Sequence, residues 1–287
     1  MAIEKILLAN SANGQAQAML KALMEIPYIQ RAKVTVLQAI PPQTSSAKMA
    51  LKQEEGNQAI STIIQNLNLD PDRVSIILRE GDPKDLVCKV AQETDTDLII
   101  VSSRALKRLQ AILENSVSQY VFQLSDRPML LVKDDVYVKK ITRIMVAVDG
   151  SPASQNCLDL AIQFLRDIKG GELILAHVKR QSAGKGDTFV EKPEQDPILS
   201  GAIAQAKKQG IAYRCATAIG KPGVEICRLA DEWNVGLLII GSPDRRPSVA
   251  KTLPDLDRLI GSSISDYVRV NINCPVLLAR TISKTTR

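Results

Sequence analysis

The amino-acid sequence predicts an α/β protein made of two repeats, each a doubly wound domain with a five-stranded parallel sheet flanked by helices. The first observation behind this is internal repetition. "GDPKDLVCKVAQETDTDLIIVSS" (81–103) matches "GKPGVEICRLADEWNVGLLIIGS" (220–242) at an offset of 139. "SVSQYVFQLSDRPMLLVK" (116–133) matches "SISDYVRVNINCPVLLAR" (263–280) at an offset of 147, and "KILLANSANG" (5–14) fits "RIMVAVDGSP" (143–152) at 138. Self-similarity of this kind has to be identified before a fold is assigned. The second observation is the rhythm within each repeat: short runs of branched apolar residues alternate with amphipathic helical patterns. That alternation signals a parallel sheet buried on both faces. The third is composition. The chain has 287 residues, 45% hydrophobic and 3% aromatic, so two cores must be built from Ile, Leu, Val and Ala.

Taken in order, the runs at Ile6–Ala9 and Ile144–Val148 open the repeats, each followed by a polar turn and a helical pattern. The second runs are Lys33–Ala39 and Glu172–Val178, each leading to a helix that differs between the copies. The third, Val74–Leu78 and Ala212–Ala218, pass through G-x-P into a helix with its apolar face at Leu86, Val90 and Ala91, or at Ile226, Leu229 and Ala230. The fourth, Asp97–Val101 and Leu237–Ile240, run into polar loops. A Ser-capped helix and a fifth run, Pro128–Val132 or Pro275–Ala279, close each repeat. Expected domains are 1–136 and 140–283. The rise in offset from 139 to 147 places an eight-residue insertion between Gly241 and Ser263, which brings Arg245, Arg246 and Lys251.

Residues 1–139 carry 16 basic and 16 acidic side chains, so the whole net charge of +6 lies in the second half. That bias favours an anionic ligand and is too small to argue for DNA. Few aromatics also disfavour single-stranded nucleic acid, which is stacked on rings. No apolar run approaches the ~18 residues of a membrane helix, and the N-terminus lacks the pattern of a signal peptide. A cytoplasmic protein is expected. The five cysteines are widely spaced with no CxxC or Cys/His cluster, which disfavours disulfides and structural metal.

Doubly wound sheets bind ligands outside the carboxyl ends of their strands. The loops after the first, second and fourth runs lie there. "RIMVAVDGS", "LILAHV", "GKPGVEICRLADE", "LLIIGS" and "GSSISDYV…NCPVLLA", in this order and spacing, resemble the universal stress protein family. The resemblance covers nearly the whole chain, once per repeat, and its framework is Rossmann-like. It implies an adenine-nucleotide site in the family's ATP-binding branch, marked by an Asp after strand one and G-x2-G-x9-G-[ST] after strand four. Glycines there would allow close backbone approach to phosphate, and the hydroxyl residue caps a helix whose N–H groups face the anion.

Carried over, the resemblance makes Asp149 the ribose partner and Gly241 the first phosphate glycine. Asp244 stands in place of the second glycine. Ser262 stands at the third, with Gly261 one residue earlier, and Ser263 takes the hydroxyl position. Ala147, Val148 and Val178 would line the adenine. In the first repeat Ser11, Ser102, Ala105 and Asn115 replace the Asp and all three glycines, which reads as a structural copy. The residues also admit plainer roles: a helix-start Asp, a turn glycine, a helix N-cap. His177, the single histidine, ends the second strand with no catalytic partner at recognisable spacing, and is expected to be structural. Cys88 and Cys227 are expected in cores, and Tyr120 and Tyr267 in packing.

The expected function is a stress-response or signalling protein that binds ATP or another adenine nucleotide, with or without Mg2+, in its second domain. The nucleotide is not required for folding. No P-loop or Ser-Gly-Gly loop is present and no catalytic residue is assigned, so the chain is expected to be non-catalytic or at most a slow ATPase. The competing expectation is a structural or interaction protein with both sites lost. The resemblance also implies that domains pair through their fifth strands, so Met129–Val132 and Val276–Ala279 are expected to pair within the chain as a pseudo-dimer, and a homo-oligomer of such chains is expected. No catalytic metal is expected.

Overall fold

Ten apolar segments become ten strands because each is short, branched and bounded by turn residues. The computed structural model describes residues 2–10, 14–43, 45–67, 69–103, 116–180, 192–242 and 263–280. In the first repeat the strands are β1 (Lys5–Ala9), β2 (Lys33–Ile40), β3 (Val74–Glu80), β4 (Leu98–Ser103) and β5 (Met129–Lys133). In the second they are β6 (Arg143–Ala147), β7 (Glu172–Lys179), β8 (Ala212–Ile219), β9 (Leu237–Gly241) and β10 (Val276–Ala279). The helices are α1 (Gln15–Met24), α2 (Ser46–Leu67), α3 (Pro83–Glu93), α4 (Val117–Leu124), α5 (Pro152–Leu165), α6 (Ser200–Lys208), α7 (Pro222–Glu232) and α8 (Ile264–Asn271).

All ten strands join one sheet in the order β3-β2-β1-β4-β5-β10-β9-β6-β7-β8. Every pairing is parallel except the central one. There β5 and β10 run antiparallel, with Leu131 opposite Val276, Leu130 opposite Leu277 and Met129 opposite Leu278. This is the expected intrachain pairing. It removes two edges that would otherwise expose apolar, hydrogen-bonding backbone.

The strand pleat sends alternate residues to opposite faces, and each face carries one apolar layer that runs through both repeats. One layer joins Leu8, Leu20, Leu130, Leu277 and Phe164 beneath α1, α2, α5 and α6. The other joins Leu7, Phe122, Leu131, Ile226 and Val268 beneath α3, α4, α7 and α8. Burial of both faces is why β4, β6, β9 and β10 read as unbroken apolar runs.

Two basic side chains lock the central seam. Lys133, just past the β5 contacts, donates through Nζ to the Val270 carbonyl at the end of α8, 3.2 Å away. Arg280 stands at the equivalent position after β10 and donates to the Phe122 and Ser125 carbonyls at the end of α4. Each repeat thus places a cation on the negative helix terminus of the other. The Phe122 ring also lies near the guanidinium groups of Arg269 and Arg280, at 5.2 and 5.0 Å.

Glycines 81 and 220 precede the proline-led helices α3 and α7 with φ of +146° and +153°, a region that disfavours other residues. The expected packing role of the repeated tyrosines holds for Tyr267, whose ring lies against Gly223. Tyr120 differs: its hydroxyl donates to Asp85 at 2.8 Å, because Asp85 sits one turn into α3 opposite it.

Candidate functional site

Helix α5 starts immediately after β6, and its first turn is built by local hydrogen bonds. Ser151 caps the helix by accepting from the Ser154 N–H at 3.1 Å. Asp149 accepts from the Ser151 N–H at 2.9 Å, and Gly150 turns the chain with φ +78°. Burial pushes the Asp149 carboxyl up, but hydrogen bonds from Ser151 and Ser154 outweigh it and hold the group below the usual carboxylate range. The carboxylate is therefore charged at neutral pH and at the carboxyl end of the sheet.

Here a cleft of about 270 Å³ opens between β6, β7, β9 and the starts of α5, α7 and α8. Five of the candidate residues line it: Ala147, Val148, Asp149, Val178 and Gly241. Its walls differ in chemistry. Ala147, Ala176, Val178, Ile226, Ile240 and Ile264 form an apolar wall continuous with one core layer. Asp149, Ser151, Ser154, His177, Arg180 and Ser242 supply the polar groups. A flat apolar moiety with a polar, anionic tail fits such a cleft.

Ser263 is placed as the N-cap of α8. Its hydroxyl accepts from the Asp266 N–H at 3.2 Å and bonds the Asp266 carboxylate at 2.9 Å. The neighbouring Ile264 lines the cleft. Ser116 in the first repeat caps α4 in the same way, accepting from the Gln119 N–H at 3.2 Å. Gly261 and Ser262, and the inserted Arg245, Arg246 and Lys251, lie outside the described residues. So do Ser11, Ala105 and Asn115 of the first repeat.

Gly241 has a reason of its own to lack a side chain. A Cβ there would come within 3.0 Å of the Ala153 Cβ on α5. Close approach of helix to strand accounts for the glycine whether or not a ligand approaches it.

The sequence reading missed two features. Ser242 is buried and its hydroxyl has no hydrogen-bond partner among the described residues. Its counterpart Ser103 is satisfied by the Ser118 hydroxyl at 3.1 Å. The matching Ser265 lies 3.0 Å from the Ser263 hydroxyl, much as Ser118 lies 3.3 Å from Ser116, but it makes no bond to Ser242. One buried hydroxyl is thus paired in the first repeat and without a partner among the described residues in the second. The second feature is a partner for His177. Nδ1 lies 2.8 Å from Oδ2 of Asp196, whose carboxylate is fully buried. Asp196 also accepts from the Ile198 N–H at 2.9 Å, and Lys179 Nζ stands 4.0 Å away. Burial pushes this carboxyl up, while the bonds from His177 and Ile198 and the nearby cations hold it below the usual range. The 19-residue separation crosses a loop that differs between the repeats, so no spacing pattern signals the pair.

None of the five cysteines forms a disulfide among the described residues; four are buried and Cys88 is half-buried. Burial pushes the Cys227 and Cys274 thiols up to about 12. Such thiols are poor nucleophiles at neutral pH. Among the described residues no helix is long and apolar enough to cross a membrane.

Comparison with known proteins agrees with this fold. The universal stress protein YxiE of Bacillus subtilis is 29% identical over 154 residues, which is 48% of this chain and 98% of that protein. A solved universal stress protein from Archaeoglobus fulgidus superposes with a TM-score of 0.72 at 22% identity, covering 96% of each chain. One from Pseudomonas aeruginosa superposes with a TM-score of 0.60 at 14% identity, over 98% of this chain and 94% of that one. These two show the tandem fold. The family model for the universal stress protein family matches twice, over residues 2–133 and 140–280, and the chain belongs to that family.

Proposed function

We propose that this chain is a stress-response or signalling protein that binds an adenine nucleotide, ATP or AMP, in the cleft of its second repeat, and that it works by binding rather than by catalysis. The observation that carries this is the unpaired Ser242 hydroxyl, on a residue that lines the cleft with Asp149 and Gly241, against the bonded Ser103–Ser118 pair of the first repeat. An unpaired buried hydroxyl costs about 1–3 kcal/mol unless a partner arrives. A phosphate oxygen is such a partner. The apolar wall at Ala176, Val178 and Ile226 offers a surface for a purine, and the Asp149 carboxylate suits a ribose hydroxyl. Asp244 in place of a glycine favours the competing reading, an interaction protein with no ligand.

Calorimetric titration of nucleotide-free protein with ATP and Mg2+ decides between them. Binding near one equivalent is expected, weakened about tenfold or more by Asp149→Ala and less by Ser242→Ala. Two equivalents would assign a site to the first repeat as well. No heat with ATP, ADP, AMP or a cyclic nucleotide at millimolar concentration overturns the nucleotide reading.

A further inference from the structure

Arg180 lines the cleft and has no place in the motif that identifies the family. It follows β7, and the strand pleat sets its direction. Ala176 and Val178 belong to the apolar layer beneath α7 and α8. Arg180 continues their alternation, so all three stand on one wall of the cleft, with Val178 and Arg180 about 6.6 Å apart along the strand. Arg180 is exposed, and among the described residues its guanidinium has no ion-pair or hydrogen-bond partner. The carboxylate of the same cleft, Asp149, is engaged by Ser151 and Ser154 instead.

The first repeat lacks this cation. Ala9 pairs with Leu37 as Ala147 pairs with Ala176, which makes Pro41 the counterpart of Arg180. The guanidinium is therefore a property of the second repeat's cleft and not of the shared framework.

Its place in the sheet decides which part of a nucleotide it meets. The strands run in the order β9-β6-β7 here. Ser242, just past β9, is thus two strand spacings from β7, about 9.6 Å. A nucleotide whose phosphate meets Ser242 lays its base across Ala176 and Val178, and Arg180 then stands at the base end. Val178 and Ile226 cover one face of that base, and the opposite face is left to water. A planar, weakly hydrated guanidinium stacks on such a face better than an ammonium does.

We propose that Arg180 folds back over the base and stacks on the ring face turned away from Val178, so that the cleft selects purines over pyrimidines by ring area. The inference rests on the nucleotide reading above and extends it to base recognition.

The test is calorimetry on the full chain with adenosine, AMP, ATP and CTP, using wild type, Arg180→Ala and Arg180→Lys. The side chain is exposed, so both variants keep the fold. Arg180→Ala is expected to weaken adenosine, AMP and ATP by the same factor, about three- to tenfold, and to narrow the preference for ATP over CTP. Arg180→Lys should recover only part of the loss, since the charge returns without the plane. A loss that grows from adenosine to AMP to ATP, fully recovered in Arg180→Lys, is the signature of a phosphate contact. That result overturns the inference and leaves nucleotide binding intact, as does Arg180→Ala that binds every ligand like wild type. If wild type binds none of them, the nucleotide reading itself falls and this inference falls with it. A second readout reports the geometry. The Arg180 Hε resonance, assigned by its absence from the spectrum of Arg180→Lys, should move upfield when adenosine binds, because a proton above a ring plane is shielded. A downfield shift, or none at saturation, also overturns the stacking.

Discussion

Gly241 shows how one residue carries two demands. The family resemblance gives it to a phosphate, and the structure gives it to Ala153. Gly241→Ala should therefore destabilise the unliganded protein by about 1–3 kcal/mol through overpacking. Ala153→Gly in the same chain should restore most of that loss in a thermal melt. If the single variant melts like wild type, packing is not what keeps the glycine. Loss of nucleotide binding that persists in the rescued double variant would isolate the ligand's share. Asp196 makes a prediction in pH. Its folded value lies below the ordinary aspartate pKa, about 3.9, so its stabilisation is complete above that value and disappears as pH falls through the lowered one. Asp196→Asn should cost about 1.5–3 kcal/mol at pH 7, and the gap to wild type should close below about pH 3. A gap that stays constant from pH 7 to pH 2 would mean that the carboxylate's charge contributes nothing.

Among the elements, the α7–α8 contact governs the site's rim. Gly223 lies in the first turn of α7, where a Cβ would sit 2.8 Å from the Tyr267 ring of α8. Gly223→Ala gains about 1 kcal/mol of helix propensity and loses more to the clash, since the contact reaches the Tyr267 Cβ and Cγ, which a rotation of the ring alone does not clear. A net loss of about 1–2 kcal/mol is expected in denaturant unfolding, and Tyr267→Ala should remove it. A stabilised Gly223→Ala protein would show that the ring simply swings outward. The helix starts were legible in the sequence. Ser116, Ser151 and Ser263 all act as N-caps, because capping needs only a hydroxyl two or three residues before free N–H groups. The sequence does not say whether such a serine also meets a ligand, because the capping hydroxyl is used in either case.

The whole molecule is one sheet with a single antiparallel seam, and the seam's charges tie the two repeats together. Arg280→Leu leaves the Phe122 and Ser125 carbonyls without their donor. Expected destabilisation is about 2–4 kcal/mol, given two charge-assisted bonds lost from a buried site. It should fall on the contact between the repeats. The wild-type chain should unfold in one transition when followed by Trp233 fluorescence and by far-ultraviolet circular dichroism. Lys133→Leu combined with Arg280→Leu should separate the probes, because Trp233 reports on the second repeat alone. Coincident transitions in the double variant would show that the apolar seam couples the repeats without the cations.

The sequence by itself determined the repeats and the ten strands. These follow from local periodicity, from turn chemistry and from the similarity of the two copies, all of which survive in a linear string; the pairing of β5 with β10 and the residues placed at the cleft came from the family resemblance. Only the tertiary structure decided which hydroxyl is paired. Ser103 and Ser242 are equivalent in sequence, yet Ser118 bonds one and its counterpart Ser265 does not bond the other. It also decided that Asp196 reaches His177 and that Lys133 and Arg280 cross the seam. Such contacts depend on the path of a loop and on the direction of a side chain, and neither has a period that a sequence can display.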